Sequence, residues 1–184
     1  MPGPRVTQGE RVTLRTFETE DVPFHQRGCT NPGIRYPIGS PVRNQEEIDV
    51  GDENDGSDDF VVCLDGEAAG PGGPEEDQIQ RIGMVHANDV DWRRPELAYW
   101  IAPEVHGEGY GTEAVSLLVD YVFRTYAHPA VGAGAYDFND ASRGLLESLG
   151  FSEEGRIRRD RFIDGEYVDR IEYGLLREEW EDRK

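Results

Sequence analysis

A strand, a glycine-rich loop and an amphipathic helix follow one another directly across residues 96–126. The loop carries Gly107, Gly109 and Gly111. Glycines at such a junction leave backbone N–H groups uncovered at the positive end of a helix. This arrangement predicts an anion-binding loop, for which phosphate is the usual ligand, while a flexible turn is the simpler alternative. Apolar residues at helical spacing predict a helix over 112–126, with its buried face formed by Ala114, Val115, Leu118, Val119, Val122 and Phe123.

The remaining apolar segments predict strands more often than helices. Strands are expected at 11–17, 60–64, 81–87, 96–101 and 131–138. A second helix is predicted to begin at Asn139 and to stop at Gly150. A hairpin over 156–176 is expected to turn at Asp164 and Gly165 in a type I′ turn. This order predicts a layered α/β or α+β fold.

Two segments break this pattern. Residues 31–59 are rich in proline, glycine and acids, and they predict a loop with one helical turn near 45–48; residues 67–77 predict a flexible excursion. The acids do not form an EF-hand, since aligning Gly56 with its invariant glycine puts Gly51 where the first aspartate belongs. No metal site is expected.

The charge balance restricts the classes of partner. The net charge is -19, and the only lysine is Lys184. Because the acids are spread along the whole chain, they favour a surface adapted to a halophilic, salt-rich cytoplasm over an acidic face for basic partners. Nucleic-acid binding is disfavoured, because phosphate contacts need a basic surface. The absence of an apolar signal or membrane-spanning run predicts a cytoplasmic protein without membrane contact, in which Cys29 and Cys63 are reduced thiols.

Several motifs follow one another in order. They are the strand 96–104, the loop His106-x-x-Gly109-x-Gly111, Asn139-x-x-Ser142 leading into Leu149-Gly150-Phe151, and the C-terminal stretches 164–169 and 173–180. Together they resemble the GNAT acetyltransferase superfamily, in particular its branch of Rim-type ribosomal-protein N-terminal acetyltransferases. The resemblance is good over 81–180 and weaker over 10–60. It implies a single domain over 1–184, with a mixed, mostly antiparallel sheet that is splayed at its centre and flanked by helices, and a C-terminal β-hairpin.

The resemblance further implies acetyl-CoA as co-substrate and a primary amine, on a protein N-terminus or a small molecule, as acceptor. The loop would hold the pyrophosphate, with His106 replacing the usual glutamine or arginine, and strand amides near Tyr99 to Ile101 would face the thioester. An acidic acceptor groove would attract either amine, and a homodimer is compatible with the family. The cofactor-binding residues implied in this way are Tyr99, Trp100, Ile101, His106, Gly107, Glu108, Gly109, Tyr110, Gly111, Thr112, Asn139 and Ser142.

For catalysis, the resemblance implies Glu96 as base, usually through water, and Ser142 near the sulfur. A solvated carboxylate at Glu96 and simple helix capping around Asn139 are the structural alternatives. Two positions depart from the family patterns: Leu146 replaces a frequent catalytic tyrosine, and Arg161 replaces a glutamate of some Rim-type members. A non-catalytic acyl-CoA-binding or regulatory module is therefore the alternative function. A nucleotide-binding domain is disfavoured, because no Gly-Lys-Ser/Thr follows the loop.

Overall fold

The computed structural model describes residues 3–48, 50, 56–65, 79–91 and 93–183. The excursion expected at 67–77 lies outside these residues. Within these ranges, eight strands form one sheet in the order β1-β2-β3-β4-β5-β6-β8-β7. In chain order these strands are β1 (Arg5–Gln8), β2 (Thr13–Thr16), β3 (Asp58–Asp65), β4 (Ile79–Asn88), β5 (Glu96–Ile101), β6 (Ala130–Tyr136), β7 (Ser152–Ile163) and β8 (Glu166–Leu176).

The sheet is antiparallel throughout its described strands except between β5 and β6, which run parallel. These two strands pair only at Glu96 with Gly132 and at Leu97 with Ala133, and they diverge beyond Leu97. β6 nevertheless pairs with β8 along its whole length. The structure thus confirms a mixed, mostly antiparallel sheet that is splayed at its centre.

Helices cover both faces of the sheet. Residues of α3 and α4 share one apolar cluster with the sheet, and Trp180 of α5 joins it. On the opposite face, Phe24 of α1 and Ile34 of α2 pack with Met84 and Trp100. None of the helices in the described ranges combines the length and apolar character needed to cross a membrane. The helices are α1 (Val22–Thr30), α2 (Pro32–Ile38), α3 (Tyr110–Thr125), α4 (Asp140–Ser148) and α5 (Arg177–Glu181).

The central helix α3 confirms the predicted helical periodicity. Its buried residues are the six expected from the sequence. Val115, Leu118 and Val122 are fully buried, and burial of side chains of this size contributes about 1.5–3 kcal/mol each. This packing fixes the N-terminus of α3 against the sheet, beside the end of β5.

Helix α2 contradicts the loop predicted over 31–59. The side chain of Asn31 caps this helix by accepting a hydrogen bond from the Gly33 amide, and Pro32 occupies its first turn. Gly39, with φ of 65°, ends the helix. A 3-10 turn at Gln45–Glu47 agrees with the helical turn expected near 45–48. The prolines that indicated a loop lie instead at the start of a short helix and within it.

The C-terminal hairpin is confirmed, and its first strand begins earlier than predicted, at Ser152. Asp164 and Gly165 both have positive φ, as a type I′ turn requires. β8 lies between β6 and β7. The hairpin therefore extends the sheet beyond the splay and places Arg170 beside it.

Candidate functional site

A cleft of about 840 Å³ opens where β5 and β6 diverge. Its walls come from β5, the N-terminus of α3, the end of β6 and one side of α4. Helix α2 closes another side, with Ile34, Pro37 and Ile38 in the lining. The two faces of the sheet both border this cleft, because the strand separation passes through the sheet.

The glycine loop lies at the mouth of the cleft, and its geometry fits an anion. Gly109 is the N-cap of α3 with φ of 81° and supplies no side chain to cap the first turn. The first helical hydrogen bond runs from the Glu113 amide to the Gly109 carbonyl at 3.2 Å. The amides before Glu113 are consequently left for another acceptor. Gly109, Tyr110, Gly111 and Thr112 all line the cleft.

Arg11, which the sequence did not indicate, contacts this loop from the connection between β1 and β2. Its Nη1 donates to the Glu108 carbonyl at 2.6 Å, and its Nε lies 3.0 Å from the Glu113 carboxylate. The Arg11 guanidinium also stacks 5.1 Å from the centre of the Tyr110 ring. Glu108 is exposed and is not part of the cleft lining. Arg11 and Glu113 therefore hold the loop, and only the backbone of Glu108 is placed to contribute.

His106 is exposed and lines the cleft, with its Nε2 2.7 Å from the carbonyl oxygen of Ile101. In the tautomer with a proton on Nε2, the ring donates to this carbonyl and joins the end of β5 to the loop. Its other ring nitrogen remains available to a ligand. Gly107, with φ of 84°, gives the turn that follows.

Alternation along β5 sends its side chains to opposite faces of the sheet. Tyr99 and Ile101 pack against the cluster below α3 and α4. Trp100 lies on the face covered by α1 and α2, where it is 6% exposed. Its indole Nε1 is buried and has no hydrogen-bond partner among the described residues. The Trp100 side chain therefore borders the cleft from the side opposite to Tyr99.

The hydroxyl groups of Tyr99 and Ser142 lie 2.8 Å apart in the cleft. Burial raises the pKa of Tyr99 to about 12, so its phenol keeps its proton at neutral pH. The Asn139 side chain caps α4 by accepting a hydrogen bond from the Ser142 amide at 3.1 Å. Capping and placement of Ser142 in the cleft thus occur together, although the sequence analysis treated them as alternatives.

Glu96 opens β5 and forms an ion pair with Arg170 of β8, with its Oε1 2.5 Å from the Arg170 Nη2. Arg170 also pairs with Glu172 at 2.8 Å. Burial raises the pKa of Glu96, while the nearby Arg170 acts to lower it. A Cβ at Gly134 would meet the Arg170 guanidinium at 2.3 Å. The small residues of β6 therefore accommodate these charged side chains.

The expected acidic groove is not present in the described cleft. Glu96 is the carboxylate in its lining, and Arg170 opposes it. Leu146 is fully buried in the main apolar cluster and is not part of the cleft lining. Arg161 lies outside the cleft, on β7. Within the described ranges, no group of three or more His, Cys, Asp or Glu side chains is placed to hold a metal ion.

Comparisons of the sequence with known proteins point to one family. The model of the acetyltransferase (GNAT) domain matches residues 11–152. The spermidine N(1)-acetyltransferase of Escherichia coli (strain K12) is 30% identical over 174 residues, which cover 92% of this chain and 88% of that protein. YdaF of Bacillus subtilis (strain 168) is 36% identical over 104 residues, covering 55% of this chain. The chain thus spans little more than half of YdaF, 57% of its length.

Solved structures share the fold. A spermidine N-acetyltransferase from Vibrio cholerae, crystallised with CoA and spermine, superimposes with a TM-score of 0.79 at 24% identity. The match covers 94% of this chain and 99% of that one. A structure described as a probable acetyltransferase gives a TM-score of 0.76 at 25% identity, over 94% and 96% of the two chains. These likenesses agree with the splayed sheet and the layered helices described above.

Proposed function

This chain belongs to the GNAT acetyltransferase family, and on that premise we propose that it transfers the acetyl group of acetyl-CoA to a primary amine by direct attack on the thioester. The observation that carries the proposal is the union of three features in one cleft: the uncapped N-terminus of α3, the separation of β5 from β6, and the Tyr99–Ser142 pair. The first suits the pyrophosphate of acetyl-CoA, the second its narrow pantetheine arm, and the third the sulfur atom that leaves when the thioester breaks.

The co-substrate would be held mainly by backbone groups. Amides from Gly107 to Thr112 would donate to the pyrophosphate, supported by the dipole of α3. The β5 amides near Tyr99 to Ile101 would donate to the thioester oxygen, where negative charge develops. When both of its ring nitrogens carry a proton, His106 would donate from Nδ1 to the pyrophosphate while Nε2 donates to the Ile101 carbonyl. Acetyl-CoA supplies the carbonyl that the amine attacks; the residues named here bind and orient it.

Glu96 is the proposed base. Its partial burial raises its pKa, which improves a carboxylate as a proton acceptor. Arg170 holds the carboxylate in place by the ion pair at 2.5 Å. A water molecule between Glu96 and the attacking amine would carry the proton, so that the amine is neutral as it forms the new C–N bond. Breaking of the C–S bond then completes acetyl transfer.

Ser142 and Tyr99 are the proposed proton source for the departing thiolate. Ser142 would contact the sulfur and donate its proton, Tyr99 would replace that proton through the 2.8 Å hydrogen bond, and the proton taken from the amine would return to Tyr99 through water. Asn139 fixes the first turn of α4 and thereby the position of Ser142. Because the tyrosine comes from β5, Leu146 on α4 does not remove the chemistry that the family tyrosine provides.

The test is release of free CoA thiol from acetyl-CoA in the presence of single amines, with the acetylated product identified by mass spectrometry. The panel needs peptides with free N-termini, spermidine and small aminated metabolites. This choice follows the relatives: YdaF is provisionally named as a ribosomal N-acetyltransferase, and the Escherichia coli relative is named for spermidine. Thiol release that depends on one amine, with a matching acetylated product, would support the proposal.

A non-catalytic acyl-CoA-binding module is the second candidate. The Glu96–Arg170 ion pair favours it, because a carboxylate held by a guanidinium is a weaker base than a free one. Calorimetric titration distinguishes the two functions. Acetyl-CoA binding without amine-dependent thiol release would indicate the module, whereas failure to bind acetyl-CoA by folded protein would contradict both.

A further inference from the structure

A second pocket, of about 560 Å³, lies between α2 and the tip of the C-terminal hairpin. Three arginines line it: Arg35 on α2, Arg43 on the segment that follows α2, and Arg161 on β7. We call it the arginine pocket. Asp164 is the one carboxylate-bearing residue in its described lining. The whole chain has a net charge of -19, but the excess of arginines makes the charge of this pocket positive.

The three guanidinium groups are not neutralised by ion pairs with the described residues. Arg161 donates to the carbonyl of Gly39, a neutral acceptor. The Arg35 guanidinium lies 4.8 Å from the centre of the Tyr36 ring, and its Nε is buried without a hydrogen-bond partner in the described structure. Cationic donors left unpaired in a concave site are suited to an anionic group of a ligand.

The arginine pocket adjoins the side of the cleft that contains Tyr136 and Arg170. A Cβ at Gly39, in the pocket lining, would meet the Tyr136 hydroxyl at 2.5 Å, and Tyr136 lines the cleft. Arg161 pairs across the hairpin with Val168, which lies two residues before Arg170, roughly 7 Å along the strand. The pocket is thus about two residues of extended chain from the Glu96–Arg170 pair.

We propose that the arginine pocket binds an anionic group of the amine acceptor, so that the preferred acceptor is a peptide N-terminus followed by an acidic residue. With the amine near Glu96, a carboxylate on the second residue reaches about the distance of Arg161. The identification of the ligand as an acceptor rests on the proposed acetyltransferase function. The overall negative charge attracts cations, so preference for an acidic peptide can arise only from local arginines.

The arginine pocket disfavours a polyamine as the acceptor of this chain. Spermidine is a flexible polycation, and binding it beside three unpaired arginines brings like charges together. The relatives named for spermidine therefore share the fold and the family with this chain, while the arginine pocket selects a different acceptor. Arg161, which departs from the Rim-type pattern, becomes a specificity-determining residue.

The experiment measures equilibrium binding of three pentapeptides to the protein saturated with CoA, by calorimetry at one fixed ionic strength. The peptides share a free N-terminal serine and differ only at the second residue, which is aspartate, alanine or lysine. We expect the aspartate peptide to bind about tenfold more tightly than the lysine peptide. Thiol release from acetyl-CoA is measured separately with the same peptides.

Two variants test the assignment to the pocket. Arg43→Glu should abolish the preference for aspartate or turn it toward lysine, since the side chain has no described ion pair whose loss would unfold the site. Arg124→Glu makes the same charge change on an exposed residue near the end of α3 and should retain the preference. A near-native circular dichroism spectrum and an unchanged affinity for CoA establish that each variant is folded.

The outcomes distinguish the two proposals. Equal affinity for the three peptides, absence of peptide binding, or loss of the preference in Arg124→Glu as much as in Arg43→Glu would overturn the arginine pocket. Thiol release without peptide preference would support the acetyltransferase and overturn the pocket. A preference confined to the intact pocket, without thiol release, would support anion recognition and contradict transfer.

Discussion

The hydroxyl of Tyr99 on β5 lies 2.8 Å from the hydroxyl of Ser142 on α4, although 43 residues separate them in the chain. The pair lies on the wall of the cleft where the two central strands diverge. Neither residue is charged, and burial keeps the phenol protonated by raising its pKa to about 12. The pair therefore offers protonated hydroxyl groups that can donate hydrogen bonds in the cleft, which suits the proposed stabilisation of a departing thiolate.

Replacing the tyrosine tests this role. Tyr99→Phe removes one oxygen and keeps the ring that packs against the main apolar cluster. We expect kcat to fall by roughly 100-fold, the usual size of an acid–base contribution, with the affinity for acetyl-CoA nearly unchanged. Steady-state kinetics and calorimetry measure the two effects. Ser142→Ala should give a similar loss, and the double variant should lose little more, because the two hydroxyls act in sequence.

Full turnover in Tyr99→Phe would remove the tyrosine from the mechanism. Tyr121→Phe provides the matched control. The Tyr121 ring lies toward the C-terminal end of α3, with its centre 4.9 Å from the centre of the Phe60 ring. This substitution removes the same oxygen away from the cleft. Equal losses in both variants would indicate a general effect on stability.

The contact between Tyr99 and Ser142 shows what local sequence could not provide. The strand around Tyr99 and the helix beginning after Asn139 were both predicted, because alternation, capping residues and glycine stops are local signals. Which β5 side chain meets which residue of α4 depends on the strand separation and on side-chain rotamers, and these follow only from the folded sheet. The sequence analysis accordingly assigned Tyr99 a backbone role and missed its hydroxyl.

Helix α2 and Arg11 show two other limits. Asn31 followed by Pro32 is a helix-start signal, but the acids and glycines around it outweighed that signal in the sequence analysis. Arg11 contacts Glu113, which is 102 residues away, and no local pattern indicates such a pair. The glycine loop was predictable in contrast, because the positive φ of Gly107 and Gly109 and the helix that follows them are local features.

The glycine loop gives a prediction about co-substrate binding. Gly109 has φ of 81°, a region that a β-branched residue adopts only with strain. Gly109→Val should therefore distort the start of α3 and weaken acetyl-CoA binding by at least about tenfold. Gly155→Val is the control, since a Cβ there meets no atom within 4 Å. Unchanged acetyl-CoA affinity in Gly109→Val would exclude the loop as the binding element.

Stability should depend on pH through His25, a half-buried residue outside the cleft. Its ring nitrogens contact the sulfurs of Met84 and Cys29 at 2.8 and 3.4 Å. Burial lowers the pKa of His25 from 6.5 to about 4, with the neighbouring His86 adding to the effect. Because the unfolded chain then binds the proton more tightly, the free energy of unfolding should fall as the pH drops from about 6.5 to 4.

The loss has an upper limit of roughly 3 kcal/mol. Urea unfolding at pH 7, 5.5 and 4.5 measures it, and His25→Gln should flatten the slope whatever its effect on the absolute stability. Burial acts to raise the pKa of Asp59, but the hydrogen bond with His86 and the electrostatic influence of His86 and His25 together lower it, so Asp59 contributes a further loss at more acid pH. An identical slope in wild type and His25→Gln would contradict the assignment to His25.

The net charge of -19 predicts a strong response to salt. Raising KCl from 0.1 to 1 M shortens the screening length from about 10 to 3 Å, which reduces repulsion among exposed carboxylates. We expect the melting temperature to rise over this range. The Arg15–Asp65 pair is buried, with side chains 7% and 10% exposed, so screening should weaken it little. Sucrose at equal osmolality is the control, and an equal rise in sucrose would attribute the effect to solvent exclusion.

The Glu96–Arg170 pair makes the pH dependence of turnover a test of the base. Burial raises the pKa of Glu96, and Arg170 is the largest influence that lowers it, with Arg94 a weaker one. Arg170→Gln should therefore move the acid limb of the kcat/KM profile to higher pH, and Arg94→Gln should move it less in the same direction. This order follows from the ion pair at 2.5 Å, since Arg94 pairs instead with Glu154.

Glu96→Gln should lower kcat by roughly 100-fold and remove the acid limb of the profile. An acid limb that is unmoved in Arg170→Gln and retained in Glu96→Gln would assign it to another group and exclude Glu96 as the base.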